Sequence, residues 1–212
     1  MMATTSKIDD NSLTYMHEVC LNVKNREIYL HSYTTELGEE SGIDYLVATR
    51  FIKNMHYLNL SAKKPITVHL HCDGGSWIDG MSIYDSISLS QSPVTVIGYA
   101  SVSSMSTIIM QAANTRLLMP NSEFMVHYGS MGVDGNAISV KSAVDQNELA
   151  NKKMLEIYTE KCAKSDNFKD YTEARIKKFI DKKMKEKQEW YMTPQEAIDY
   201  GFADAIYGSR GY

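Results

Sequence analysis

VTVIGYASVSSMSTIIMQAAN, residues 94–114, changes character at its midpoint. Its first half is a β-branched run that reads as a buried strand, and MSTIIMQAAN reads as a helix. Between them Ser101, Ser103, Ser104 and Ser106 crowd the junction. A strand that runs straight into a helix is the repeating unit of a parallel α/β sheet, and the carboxyl ends of such strands are where open α/β folds place ligands. A serine there gains from the positive end of the helix dipole, and a neighbouring backbone N–H can serve an oxyanion. The same serines also suit a small-residue packing surface with a hydroxyl cap. The stretch by itself does not separate the two readings.

The alternation repeats on both sides of this junction. Upstream, REIYLH (26–31) reads as a short strand, and SGIDYLVATRFIKNMHYLNL (41–60) carries Ile43, Leu46, Val47, Phe51 and Met55 near helical spacing. Lys63-Lys64-Pro65 ends that helix, and ITVHLHC (66–72) is a strand that stops at Asp73-Gly74-Gly75. GMSIYDSISLSQ (80–91) then puts Met81, Ile83, Tyr84 and Ile87 on one helical stripe. Downstream, LLMP and EFMVHY read as strands and residues 137–163 as one long helix. DYTEARIKKFIDKKMKEK (170–187) reads as another, with Ile176, Phe179, Ile180 and Met184 on one face and solvated lysines on the other. The pattern predicts an α/β fold of repeated βαβ units with a mostly parallel sheet.

A chain of 212 residues is expected to form a single domain, 1–212. Lys and Arg total 22 against 26 Asp and Glu, a formal charge of −4, so no net pull toward nucleic acid or an anionic membrane is expected. Cys20, Cys72 and Cys162 have no CxxC spacing, which argues against a disulfide framework or structural zinc and for a reducing, cytoplasmic setting. The opening MMATTSKIDDNS is polar, and no run approaches the roughly 20 apolar residues of a spanning helix.

Two further constellations could carry chemistry with the serines. In CDGGSWIDGM (72–81), paired glycines after a buried strand expose backbone N–H groups and admit a substrate backbone closely, as an oxyanion hole requires. The spacing fits neither GxGxxG nor GxxxxGK[ST], so a nucleotide site is not expected. In PNSEFMVHYG (120–129), His127 ends an alternating strand soon after the serine-bearing helix, and a hairpin return would bring it toward Ser104. His69 and His71 share a strand face but lack a spaced third ligand, so no metal and no cofactor are expected. Cys72 reads as inert packing.

Taken in order, GGS-x3-GMSIYD, GYASVSSMS, MPNSEFMVH and MTPQEAIDYGFADAI resemble the ClpP family of self-compartmentalising serine peptidases, from about Arg26 to Ile206. The resemblance implies the ClpP/crotonase-like fold with a protruding handle helix. It makes residues 1–25 an N-terminal segment, pore-lining or processed, and 137–187 the handle helix and a helical extension. It puts the nucleophile on Ser104, the general base on His127, and the oxyanion donors on the backbone N–H groups of Gly75 and Met105. The family's third triad position, usually Asp, falls on Glu189, with Asp181 as a rival whose offset from the following block does not match. The implied function is that of a serine endopeptidase, the proteolytic subunit of an ATP-dependent Clp-type protease that cleaves unfolded polypeptides inside two stacked heptameric rings, a homo-oligomeric tetradecamer. The implied partners are an AAA+ unfoldase or a ClpP paralogue.

The chain departs from the family pattern in several places. Asp73 stands for the family's Pro before the paired glycines, and Tyr128-Gly129 for its Gln-Pro after the histidine. The interval from His127 to Glu189 is longer by about a dozen residues, assigned to 162–187. Thr67 and His69 occupy positions that are aromatic in the family's docking groove. Two other classes fit part of the pattern: a catalytically inactive ring subunit regulating an active paralogue, and a crotonase-type acyl-CoA enzyme, whose CoA-binding motifs are absent from the sequence.

Overall fold

The computed structural model describes residues 10–31, 41–209 and 211, with side chains from residue 13. The first nine residues of the expected N-terminal segment lie outside the described residues. In chain order the elements are α1 (Asp10–Val19), β1 (Leu21–Asn22), β2 (Glu27–His31), α2 (Tyr45–Ser61), β3 (Ile66–Cys72) and α3 (Trp77–Ser88). They continue with β4 (Val94–Ser103), α4 (Met105–Met110), β5 (Thr115–Leu118), β6 (Glu123–His127), α5 (Ala137–Cys162), a 3-10 turn (Asp166–Phe168) and α6 (Glu173–Lys187). The chain closes with β7 (Glu189–Met192), α7 (Pro194–Asp199) and β8 (Ala205–Ile206).

Local chemistry sets the helix starts. Asp44 caps α2 by accepting from the Val47 N–H, Ser76 caps α3 through the Asp79 N–H, and Thr193 with Glu196 forms a reciprocal capping box on α7, where Pro194 fills the first turn. Strands alternate as a half-buried sheet demands, with Ile66, Val68, Leu70 and Cys72 of β3 all buried.

The sheet runs β1-β2-β3-β4-β5-β8, and every pair along it is parallel except β1-β2. This is the expected α/β fold with a mostly parallel sheet. The ten-residue β4 serves two neighbours on one edge. Thr95–Gly98 pair with β5, and Ser101–Ser103 pair with β6 further along. That arrangement corrects the expected hairpin return: β6 lies parallel to β4, so His127 reaches the serine end of β4 by a crossover. β7 then adds to β6 antiparallel.

The core sits between this sheet and its helices, built on Val68, Leu70, Val96, Val102, Ile109 and Phe124, with Tyr158 of α5 fully enclosed. Phe168, Phe179, Trp190, Tyr200 and Phe202 form an aromatic layer that joins the 3-10 turn, α6 and β7 to it. The segment to which the sequence assigns the extra length is therefore packed structure next to the strand carrying Glu189.

Candidate active site

The β4–α4 junction turns at Ser104, whose backbone has φ 53° and ψ −123°, a conformation that non-glycine residues rarely adopt. Holding it costs about 1–3 kcal/mol, and such strain persists only where the surroundings over-determine the backbone. Here they do. The Ser104 N–H donates to the Met125 carbonyl at 2.8 Å. Its own carbonyl accepts from the Thr107 N–H at 3.0 Å and from the Thr107 hydroxyl at 2.5 Å. Thr107 is fixed in turn against the buried Tyr158 hydroxyl at 2.6 Å. The turn lifts the Ser104 hydroxyl out of the strand and aims it at β6, where His127 Nε2 lies 2.7 Å from Ser104 Oγ. Both residues are half-buried.

The paired glycines pack directly behind this turn. A Cβ on Gly74, at φ 111°, would come within 2.7 Å of Ser104 Cβ and 3.0 Å of the Met105 nitrogen, so only glycine permits the approach. Gly75, at φ 147°, bridges Ile43: the Ile43 N–H donates to the Gly74 carbonyl at 2.7 Å and the Ser76 N–H to the Ile43 carbonyl at 2.8 Å. In a parallel bridge of this kind the central residue's own N–H is not spent on the partner segment, so the Gly75 N–H makes no bond to Ile43. The N–H of Met105 is at the first position of α4, where no intrahelical acceptor exists.

Glu189 opens β7 directly opposite His127 in the antiparallel ladder, which sets both side chains on one face. The structure does not join the two by a hydrogen bond; the Glu189 carboxylate accepts instead from the Tyr191 hydroxyl at 3.1 Å. Asp181 lies on α6, where it accepts from the Tyr128 hydroxyl and from Lys185 Nζ at 2.9 Å. Burial works against its charge, but these two hydrogen bonds and the Lys185 and Lys177 charges outweigh it and hold its carboxyl below the ordinary value. Desolvation and that same bond push the Tyr128 phenol upward.

The family model for Clp protease matches residues 27–210. The chain belongs to the Clp protease family. Over 146 residues this family member is 26% identical to an ATP-dependent Clp protease proteolytic subunit of Deinococcus radiodurans, a match spanning 68% of the chain but only 65% of that protein. The fold of the Clp-family chain also matches that of a mutant ClpP1 from Listeria monocytogenes, with a TM-score of 0.71 at 20% identity over 89% of the chain and 94% of the other.

Two contacts around this site escaped the sequence reading. Tyr191 shares the face of Glu189, a relation visible only if EWYM is recognised as a strand with period two. Ser101 donates to Asp73, which ties the glycine turn to the end of β4 in place of a proline. Of the remaining candidates, Cys72 is buried with its thiol 3.4 Å from the Gly74 carbonyl. His69 Nδ1 lies 2.9 Å from the Tyr99 hydroxyl while its ring stacks on Tyr29 at 4.9 Å. Among the described residues no three His, Cys, Asp or Glu side chains converge as metal ligands.

Proposed function

We propose that the chain is a serine endopeptidase, the proteolytic subunit of an ATP-dependent Clp-type protease, acting on unfolded polypeptides within a ring of its own copies. The observation that carries this reading is the 2.7 Å contact between His127 Nε2 and the hydroxyl of a conformationally strained Ser104. A hydroxyl is a weak nucleophile until a base takes its proton, and an imidazole at hydrogen-bond distance is that base.

The reaction is acyl transfer. Ser104 Oγ attacks the scissile carbonyl carbon as its proton passes to His127 Nε2, and the N–H groups of Gly75 and Met105 receive the developing oxyanion. Collapse breaks the C–N bond, the imidazolium gives its proton to the departing amine, and water repeats the sequence to free the acid. Glu189 stabilises the imidazolium from the Nδ1 side. Directly opposed residues of an antiparallel pair keep their Cβ atoms about 4.5–5.5 Å apart, a gap that a rotated glutamate side chain spans.

Family membership supports a ring of stacked heptamers, an AAA+ unfoldase as partner and a cytoplasmic place of action. An inactive regulatory subunit would have no use for the strain held at Ser104. Ser104→Ala should abolish hydrolysis of a fluorogenic peptide and labelling by a fluorophosphonate while leaving the melting temperature within a few degrees. Undiminished labelling of that variant would sink the assignment.

A further inference from the structure

We propose that Tyr191 is a positioning residue of this catalytic centre, its hydroxyl holding one oxygen of the Glu189 carboxylate so that the other serves His127 Nδ1. The inference rests on the triad reading above and deepens it.

Burial alternates along β7, with Trp190 and Met192 inward and Glu189 and Tyr191 outward. The outward pair lies opposite His127 and Met125 of β6, on the face that carries the Ser104–His127 contact. Glu189 is exposed and follows Gln188, whose φ of 63° ends α6 abruptly. A glutamate has one more torsion than the aspartate usual at this position, and immobilising so free a side chain costs up to roughly 2 kcal/mol. Without a restraint, the carboxylate would spend most of its time away from the imidazole.

Tyr191 supplies that restraint with only two side-chain torsions of its own, donating to Glu189 Oε2 at 3.1 Å. Among the described residues no other donor reaches this carboxylate, so Oε1 stays open to the imidazole when the side chain turns toward it. The phenol also remains a donor under alkaline conditions. The hydrogen bond to Glu189 and then the charge of that carboxylate raise its pKa, and Glu123 on β6 and Asp73 before the glycines add to the effect.

The test is steady-state peptide hydrolysis by the full chain in its native assembly, comparing wild type, Tyr191→Phe, Glu189→Ala and the double variant. Tyr191→Phe keeps the ring and removes one charge-assisted hydrogen bond, so kcat should fall about tenfold with KM nearly unchanged. In the Glu189→Ala background the same substitution should change kcat by less than about twofold, because a residue acting only through Glu189 has nothing left to position. Wild-type kcat in Tyr191→Phe, an equal loss in both backgrounds, or an effect confined to KM or the melting temperature overturns the positioning role alone. Full activity in Glu189→Ala overturns the triad reading and this inference with it.

Discussion

Ser104 is held in its unfavourable conformation by neighbours that leave no alternative, and Gly74 is the most exacting of them. Gly74→Ala would put a methyl group 2.7 Å from Ser104 Cβ on a backbone at φ 111°, so either the turn or the glycine strand must move. A displacement of even 1 Å at the reacting atoms costs about a hundredfold in rate. We expect kcat/KM to fall on that order in a chain that still folds, with a melting temperature lowered by several degrees; an unchanged kcat/KM would contradict the close packing. At this scale the approach of Ser104 to His127 was legible, because the order of the blocks around Gly74, Ser104 and His127 has a chemical meaning that survives without coordinates. The disposition of Glu189 was not. Where that carboxylate is held depends on a phenol two residues away, and this partner is found only once the strand is known. The two rival carboxylates are likewise separated by their neighbours: Asp181 is engaged by Tyr128 and Lys185, Glu189 by Tyr191.

The long helices were readable and three of the shortest strands were not, for the same physical reason. α2, α5 and α6 span several turns, so their apolar spacing is unambiguous, whereas β1, β7 and β8 have two to four residues and show no period. β7 exists because Trp190 is enclosed by Phe179, Tyr200 and Phe202, with ring centroids 5.2 to 6.2 Å apart, which anchors the strand against β6. Trp190→Ala should destabilise the fold by about 3–5 kcal/mol in a denaturant titration, and peptidase activity should fall with it as Glu189 loses its register. At the other side of the sheet, burial lowers the His69 imidazole below 6.5, with the Glu27 carboxylate opposing. The neutral ring is therefore favoured in the folded state. Its contribution is complete above pH 6.5 and drains away as pH falls, because the unfolded chain takes up the proton first. His69→Gln should flatten that acid-side segment of the stability profile measured by denaturant midpoint; an unaltered slope would place the titration elsewhere.

Across the whole molecule, the fold class followed from the strand-to-helix rhythm, while the proposed assembly would use surfaces that one chain leaves bare. The buried residues of α5 begin only at Met154, and its preceding turns expose Ile138 at 83% and Leu149 at 61%. A helix segment without tertiary support is marginal in water, so in the proposed ring these residues would be covered by another copy. Ile138→Glu with Leu149→Glu should shift sedimentation from a high multiple of 24.0 kDa toward smaller species; an unchanged distribution would exclude α5 from the ring contact. The parallel pairing of β4 with β6 has one more consequence, and it concerns time. Ser104 and His127 are 23 residues apart and meet through a short crossover, whereas Glu189 arrives only after α5 and α6 have been made. Each doubling of loop length adds only about 0.6 kcal/mol of closure entropy, so the delay is one of chronology more than of energy. On a ribosome the proposed nucleophile and base would be assembled first, and the carboxylate proposed to tune them would follow only after α5 and α6.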